Sequence, residues 1–167
     1  MMRYIVCRMS GIAIATKEQL MPLMDLTLPA GTLDDEARTA LVDQLTTVLL
    51  HAERAPDTDF FRSITWTHVH ELPANAVLSG GRPVDRPIVR LEVTTPEGAL
   101  SDRRRAELVA GATRVIKEAI GLGEDETLRI WVLCHEVPEG SWGAGGQIVQ
   151  FQALREAAAA ARESITA

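Results

Sequence analysis

Cysteine and basic charge are the two features that this sequence of 167 residues has little of. Its two cysteines, Cys7 and Cys134, are too few for a disulfide framework, and no cluster of Cys and His has the spacing of a zinc site. We therefore expect a protein of the reducing cytoplasm, with no metal site.

The charge balance is acidic, with 17 Lys and Arg against 23 Asp and Glu and a net charge of −6. A negative net charge disfavours sequence-independent electrostatic binding to nucleic acid or to an anionic membrane. A long apolar run is missing as well, because the stretch from Ile5 to Ala15 is interrupted by Cys7, Arg8 and Ser10 and is too short to span a bilayer. A small molecule is the expected ligand, with neither nucleic acid nor membrane as partner.

What the sequence does contain is an internal repeat. The segments 64–73 and 129–138 share a Trp, a His, a Glu and a Pro at the same relative positions. The same displacement of 65 positions (131 minus 66) carries Gly80-Gly81 onto Gly145-Gly146 and Pro22-Leu23-Met24 onto Pro87-Ile88-Val89. Self-similarity at a fixed period is the mark of a duplicated structural unit, so we expect two units of one design.

Each unit has the pattern of a strand, a helix and a second strand. The first strand, Leu23 to Leu28, alternates apolar and polar residues, and Val89, Leu91 and Val93 repeat that alternation. Apolar residues at helical spacing predict helices over 33–51, capped by Thr32, and over 102–120, capped by Ser101. Second strands are predicted around 62–70 and 128–135, each followed by a Pro and a glycine-containing turn.

The predicted fold class is α+β, with tandem β-α-β units that merge into one four-stranded sheet carrying both helices on one face. A helix between two strands implies that the two strands of each unit pair in parallel. We expect an N-terminal extension over 1–21, a first unit over 22–84, a second unit over 85–152 and a helical tail over 153–167. The sheet face without helices would present a large aromatic-rich surface, which favours oligomerisation. It would carry Trp66, His68, His70, Arg129, Trp131 and His135.

A family resemblance follows from three features taken together: a Pro that opens a strand directly after Met21, β-α-β units of about 60 residues, and the closing turn Pro-Glu-Gly-Ser-Trp-Gly-Ala-Gly-Gly over 138–146. This arrangement resembles 4-oxalocrotonate tautomerase and its relatives in the tautomerase superfamily. The doubled length is similar to the fused members, the group of malonate semialdehyde decarboxylase and cis-3-chloroacrylic acid dehalogenase. The resemblance implies a homotrimer.

The resemblance also implies an activity that needs no cofactor. In that family the initiating Met is removed, and the freed proline nitrogen acts as general base in keto-enol isomerisation of a small 2-oxo acid. Pro22 matches this position, whereas Pro87 lies inside the chain, where its nitrogen is an amide without basicity. The role requires that translation starts at Met21, so that residues 1–20 are absent from the natural protein.

Further site residues are expected from the same resemblance. Trp142 matches the aromatic residue that forms the apolar wall of the family's site, and Asp59 matches loosely the acid that the decarboxylase uses beside its proline. The arginines that bind the dicarboxylate of the tautomerase have no counterpart, because Thr32 or Leu33 and Trp66 or Trp131 stand there. Arg62, Arg90 and Arg129 are the candidates for carboxylate binding, since a guanidinium can bind a carboxylate with two hydrogen bonds.

Two other functions stay open at this point. Decarboxylation or hydration of an unsaturated acid are branches of the same superfamily. If residues 1–21 are retained, Pro22 has no free nitrogen, and the chain is then a catalytically silent binding module with a tautomerase fold.

Overall fold

The computed structural model describes residues 22–151, so the predicted N-terminal extension over 1–21 and helical tail over 153–167 lie outside the described residues. Four strands form the main sheet: β1 (Leu23–Pro29), β2 (Trp66–Leu72), β5 (Val89–Pro96) and β6 (Ile130–Val137). The helices are α1 (Asp35–Glu53), α2 (Asp59–Ile64) and α3 (Asp102–Ile120). Short hairpins follow β2 and β6, formed by β3 (Leu78–Ser79) with β4 (Arg82–Pro83) and by β7 (Gly143–Ala144) with β8 (Gln147–Ile148).

The sheet order is β2-β1-β5-β6. Within each unit the two strands pair in parallel, β1 with β2 and β5 with β6, as a helical crossover requires. The two units meet where β1 and β5 pair in antiparallel fashion. The predicted α+β class and the single four-stranded sheet are confirmed.

One face of the sheet is buried, because apolar side chains alternate along its central strands. Met24, Leu26 and Leu28 of β1 are at most 1% exposed, and the alternating residues of β5 are buried beside them. Helices α1 and α3 cover this face, and the resulting core contains residues from both units. The helices approach each other closely, since a Cβ on Gly111 would stand 2.9 Å from a methyl group of Val48.

The helix boundaries follow their caps. Helix α3 begins after Ser101, whose side chain accepts from the backbone N–H of Arg104, and it ends at Gly121 with a positive φ, as expected. The predicted cap of α1 is wrong: Asp34 rather than Thr32 accepts from the N–H of Ala37. Thr32 instead donates its hydroxyl proton to the carbonyl of Pro29 in the preceding turn.

The second strands start later than expected. Residues 59–64 form helix α2, where Thr58 caps the first turn, and residues 124–129 form a 3₁₀ helix at the equivalent place in the second unit. The alternating pattern that we extended back to 62 and 128 therefore begins only at Trp66 and Ile130. Arg62 and Arg129 consequently lie on short helices and not in strands, which corrects the expected place of Arg129 on the open sheet face.

The two hairpins repeat the same turn. Gly80 and Gly81 have φ angles of 57° and 77°, and Gly145 and Gly146 have 58° and 79°. A two-residue hairpin turn with two positive φ angles strongly favours glycine at both positions. The paired glycines seen in the sequence are thus explained by one local geometry that is used once in each unit.

The other face of the sheet is uncovered in the chain. Its edge strands β2 and β6 carry Trp66, which is 62% exposed, and Trp131, which is 66% exposed. His68 and His70 of β2 and His135 of β6 are exposed on the same face. Among residues 22–151 no helix has the length and apolarity needed to cross a membrane.

A buried carboxyl group is the main exception to the apolar interior. Glu53 ends α1 at 5% exposure, and neither of its carboxyl oxygens has a hydrogen-bond partner in the described part of the chain. Burial raises its pKa from 4.5 to about 8. Helix α3 has the same length of 19 residues and ends with Ile120, so the second unit places an apolar residue at the equivalent position.

Glu53 should make the protein less stable as the pH rises. Below pH 4.5 the carboxyl group is protonated in both states, whereas above it the unfolded chain releases the proton and the folded chain keeps it until about pH 8. In that window the free energy of unfolding of the unmodified protein should fall with pH relative to that of Glu53→Gln. We predict that the difference increases in favour of the variant by about 1.4 kcal/mol per pH unit. Urea unfolding at a series of pH values measures it.

The matched control is Glu36→Gln, which changes an exposed glutamate of the same helix. Its effect on the free energy of unfolding should vary little with pH. A constant difference between Glu53→Gln and the unmodified protein across the window would show that the buried carboxyl group does not hold its proton.

Candidate functional site

Pro22 is buried immediately before β1, and its carbonyl oxygen accepts a hydrogen bond of 3.2 Å from the backbone N–H of Trp66. The next residue, Leu23, pairs with Trp66 of β2 on one side and with Thr94 of β5 on the other. Pro22 therefore lies at the end of the sheet where β1 and β2 begin and where β5 and β6 finish. The backbone of its strand is held from both sides.

The second hairpin leaves the sheet at this same end. The N–H of Glu97 binds the carbonyl of Val137 at 2.9 Å, which ties the ends of β5 and β6 together, and the chain then continues into the turn that contains Trp142. The indole of Trp142 packs edge-on against Phe151, with ring centroids 6.3 Å apart. Phe151 is 1% exposed and donates its backbone N–H to Glu139 at 2.7 Å, so the aromatic pair is anchored.

Asp59 is the first residue of α2, the helix that leads into β2 beside Pro22. Its side chain is exposed, and a carboxylate in the first turn of a helix is also favoured by the helix dipole. The structure thus places Asp59 on the element that approaches the Pro22 end of the sheet.

Arg62 lies on α2 and binds side chains of the helical layer. Its guanidinium donates to Asp57 at 2.6 and 2.9 Å, to Asp43 at 2.7 Å and to Thr47 at 2.7 Å. The hydrogen bond from Arg62 lowers the pKa of Asp57. This network joins α2 and the loop before it to α1.

Arg129 lies at the opposite end of the sheet, near the start of β5. It donates to Asp85 at 3.1 Å and to the carbonyl of Arg86 at 3.2 Å, and its Nε lies 3.4 Å from Glu126. The hydrogen bond from Arg129 lowers the pKa of Asp85. The structure therefore brings Pro22, α2 with Asp59 and the hairpin of Trp142 to one end, and Arg129 to the other.

That other end is the internal counterpart of the Pro22 end. It contains a groove between the first hairpin and the beginning of β5 and β6, lined among others by Val77, Ile88, Arg90, Arg129 and Trp131. Pro22 lies directly before β1, whereas Pro87 lies two residues before β5. Arg90 pairs with Trp131 as Leu23 pairs with Trp66, so Val89 and not Pro87 stands at the place of Pro22 in the second unit.

Sequence reasoning missed a cluster on the open sheet face. Asp25 of β1 lies opposite His68 of β2, with its Oδ1 3.4 Å from His68 Nδ1 and 2.7 Å from His70 Nε2. These three side chains offer ligand atoms within 4.8 Å of one another, and they could hold a metal ion. The spacing His-x-His was visible in the sequence, but the carboxylate comes from another strand, whose register the sequence does not reveal.

The comparisons with known proteins agree with this architecture. The sequence profile of the tautomerase family, described as "Tautomerase enzyme", matches residues 87–152, which contain the second unit. No curated protein sequence matches this chain.

The solved structures that share this fold include the following three. A fused 4-OT, described as a wild-type asymmetric trimer, has 22% identity and a TM-score of 0.63 over 75% of this chain and 94% of that chain. A member of the cis-3-chloroacrylic acid dehalogenase family has 19% identity and a TM-score of 0.63 over 82% and 99% of the two chains. The protein Pt0534, described as inactivated by 2-oxo-3-pentynoate, has 20% identity and a TM-score of 0.65 over 79% and 98%.

The family match covers the second unit, and the shared fold covers both units with their common sheet. Residues 87–152 therefore match the tautomerase family in sequence, and the larger part of the chain shares its fold with a fused 4-OT and with a member of the cis-3-chloroacrylic acid dehalogenase family.

Proposed function

We propose that this protein is a cofactor-independent tautomerase of the cytoplasm that interconverts the keto and enol forms of a small 2-oxo acid, with the nitrogen of Pro22 as general base. The observation that carries the proposal is the place of Pro22 in a tautomerase fold. It is buried at the start of a central strand, with its carbonyl fixed by Trp66. A secondary amine there would be aimed by the rigid strand.

The proposed reaction moves protons only. The free nitrogen of Pro22 takes the proton of the enol hydroxyl as the carbonyl forms, and the protonated amine delivers a proton to the neighbouring carbon. A proton shuttle of this kind works best when its pKa lies near the operating pH, and burial assists because it disfavours the charged form of an amine. Pro87 cannot take this part, because its nitrogen is an amide.

The remaining site residues have secondary parts in the proposal. Trp142, which packs against Phe151, would form an apolar wall of the site. Asp59, at the start of α2, would be the acidic side chain that works beside Pro22. Arg62 remains a candidate for binding the substrate carboxylate, although a substrate would compete with Asp57 for its guanidinium. Arg129 binds Asp85 at the opposite end of the sheet, so within one chain it is not placed to bind a substrate at Pro22.

Catalysis by Pro22 requires a chain that begins at this residue. We propose that translation starts at Met21 and that methionine aminopeptidase then removes the methionine. The enzyme can do so because the residue after the methionine is proline, which is small enough for its pocket. The sequence supports this start, because Met21 directly precedes Pro22 and the strand β1 begins at the next residue, Leu23. Lys17-Glu18 can also be encoded by a sequence that resembles a ribosome-binding site.

The intact mass of the untagged protein, made from its natural gene, should correspond to Pro22 through Ala167. Mass spectrometry measures it directly. A mass that includes Met1 or Met2 would leave Pro22 acylated and would exclude amine catalysis in the natural protein.

A chain beginning at Pro22 should ketonise phenylenolpyruvate faster than buffer does. Pro22→Ala should lower the rate by roughly 10²–10⁴-fold, the usual contribution of a positioned general base. The control keeps every side chain and adds one residue before Pro22, which acylates the nitrogen and should abolish activity as well. Equal rates for all three proteins, followed by ultraviolet absorbance, would rule out the proposed base.

We also propose that the uncovered sheet face is buried between subunits of a homotrimer. Trp66, Trp131, Leu133 and Leu72 expose between 37% and 66% of their surface there. Exposed apolar patches of this kind commonly mark protein interfaces. A fused 4-OT of the same fold is described as a trimer, which supports this state for the present chain.

Replacing Trp131 and Leu133 together by Lys should shift the protein from trimer to monomer, because two charges would be buried in the proposed interface. Val109→Lys is the matched control, since it changes an exposed apolar residue on the outer side of α3. Light scattering measures the mass. A monomeric unmodified protein, or a double variant that remains trimeric, would contradict this assembly.

One observation favours a second candidate function, which differs from the isomerisation of a dicarboxylate. The positions at which the tautomerase carries its carboxylate-binding arginines contain Thr32 or Leu33 and Trp66 or Trp131. The second candidate is accordingly a silent binding module, or a decarboxylase or hydratase whose substrate has one carboxylate. Activity towards phenylenolpyruvate that depends on Pro22 would exclude the silent module.

A further inference from the structure

The open sheet face contains a compact group of ligating side chains that the proposed proton transfer does not use. Successive residues of a strand point to opposite faces, so His68 and His70 both project from β2 on the side away from the helices. The parallel register places Asp25 of β1 directly opposite His68. Two imidazoles and one carboxylate therefore meet on one surface without any loop.

The distances within this group suit a bound ion. The Oδ1 of Asp25 lies 3.4 Å from His68 Nδ1 and 2.7 Å from His70 Nε2, and all three ligand atoms lie within 4.8 Å of one another. Ligands bound at about 2.0–2.2 Å around Zn²⁺ stand roughly 3.3 Å apart, so small side-chain rotations suffice. Within a single chain the side chain of His68 is 56% and that of His70 is 49% exposed, so the chain itself leaves both rings room to rotate.

The charges nearby also favour a cation. Asp25 faces Glu92 of β5 directly across the antiparallel pair, and like charges in that position destabilise a sheet. Glu92 binds Arg90 at 2.9 Å and His135 at 3.2 Å, whereas the partners of Asp25 here are the two histidines. A divalent ion would compensate Asp25 as Arg90 compensates Glu92.

The repeat shows that the group belongs to the first unit alone. His135 corresponds to His70, and Glu92 corresponds to Asp25, because Glu92 pairs with Leu133 as Asp25 pairs with His68. Leu133 stands where the first unit has His68. The second unit therefore retains one histidine beside a carboxylate and lacks the complete set. It supplies a control on the same protein surface.

We propose that Asp25, His68 and His70 form a binding site for a divalent transition-metal ion such as Zn²⁺. Neutral imidazole and carboxylate are ligands that Zn²⁺ and its neighbours prefer, whereas Mg²⁺ and Ca²⁺ prefer oxygen alone. Three protein ligands leave the outward side of the ion open to water, or to a donor from the subunit proposed to cover this face.

Calorimetric titration of the untagged protein with Zn²⁺ tests the site. We expect a binding event that weakens more than about tenfold in His68→Ala and in His70→Ala, since even outer-shell changes often cost that much. His135→Ala should bind as the unmodified protein does, and Mg²⁺ should give no binding. Binding that persists in both His68→Ala and His70→Ala, or that is absent from the unmodified protein, would overturn the proposal.

A second measurement needs no variant. Addition of Co²⁺ to the unmodified protein should broaden the NMR signals of the His68 and His70 rings before those of His135 and His51. Broadening of all four rings together, or of His51 first, would contradict the site. Neither experiment depends on the activity of Pro22, so the metal site and the proposed tautomerase reaction can fail separately.

Discussion

The antiparallel pairing of β1 with β5 is the contact on which the rest of the structure depends. Each unit alone would be a parallel pair of strands with a helix on one side and an exposed edge. Pairing of β1 with β5 covers one exposed edge of each unit and joins the residues under α1 and α3 into one core. Because the pairing is antiparallel, the two units run in opposite directions. The opposite directions of β1 and β5 are the reason that Pro22 and Pro87 lie at opposite ends of one sheet.

The two faces of the sheet also differ in composition and exposure. The face under the helices is filled with Leu, Val and Met side chains that are almost completely buried. The other face combines exposed tryptophans with histidines and carboxylates, so it can contact a second subunit or bind an ion. Glu53 departs from this division, because it buries a carboxyl group where the equivalent helix end has Ile120.

Much of this fold could be predicted from the sequence, because the strands and helices have clear periods. Ser101 and Gly121 marked the ends of α3 well, since a cap and a left-handed glycine are local features. The starts of β2 and β6 were wrong because α2 and the 3₁₀ helix are too short to show a helical period. The Asp34 cap was missed because Thr32, two residues earlier, also has a side-chain oxygen that can accept a hydrogen bond in the first turn of a helix.

The site was less accessible to sequence reasoning, for a physical reason. The cluster of Asp25, His68 and His70 and the ion pairs of Arg62 and Arg129 depend on strand register and on loop closure, and neither is encoded in the spacing of residues along the chain. Pro22 could be proposed from the sequence because its position directly after Met21 is itself a sequence feature, and its catalytic role stays a prediction.

The central claim is that the nitrogen of Pro22 is a reactive amine in a chain that begins there. Incubation of that chain with 2-oxo-3-pentynoate, the compound described as inactivating Pt0534, tests it most directly. Addition of the amine across the alkyne forms a stable carbon–nitrogen bond, and peptide mass spectrometry locates the adduct. We predict a single adduct on Pro22. An unmodified Pro22 after prolonged incubation, or modification confined to Cys134, would contradict the account.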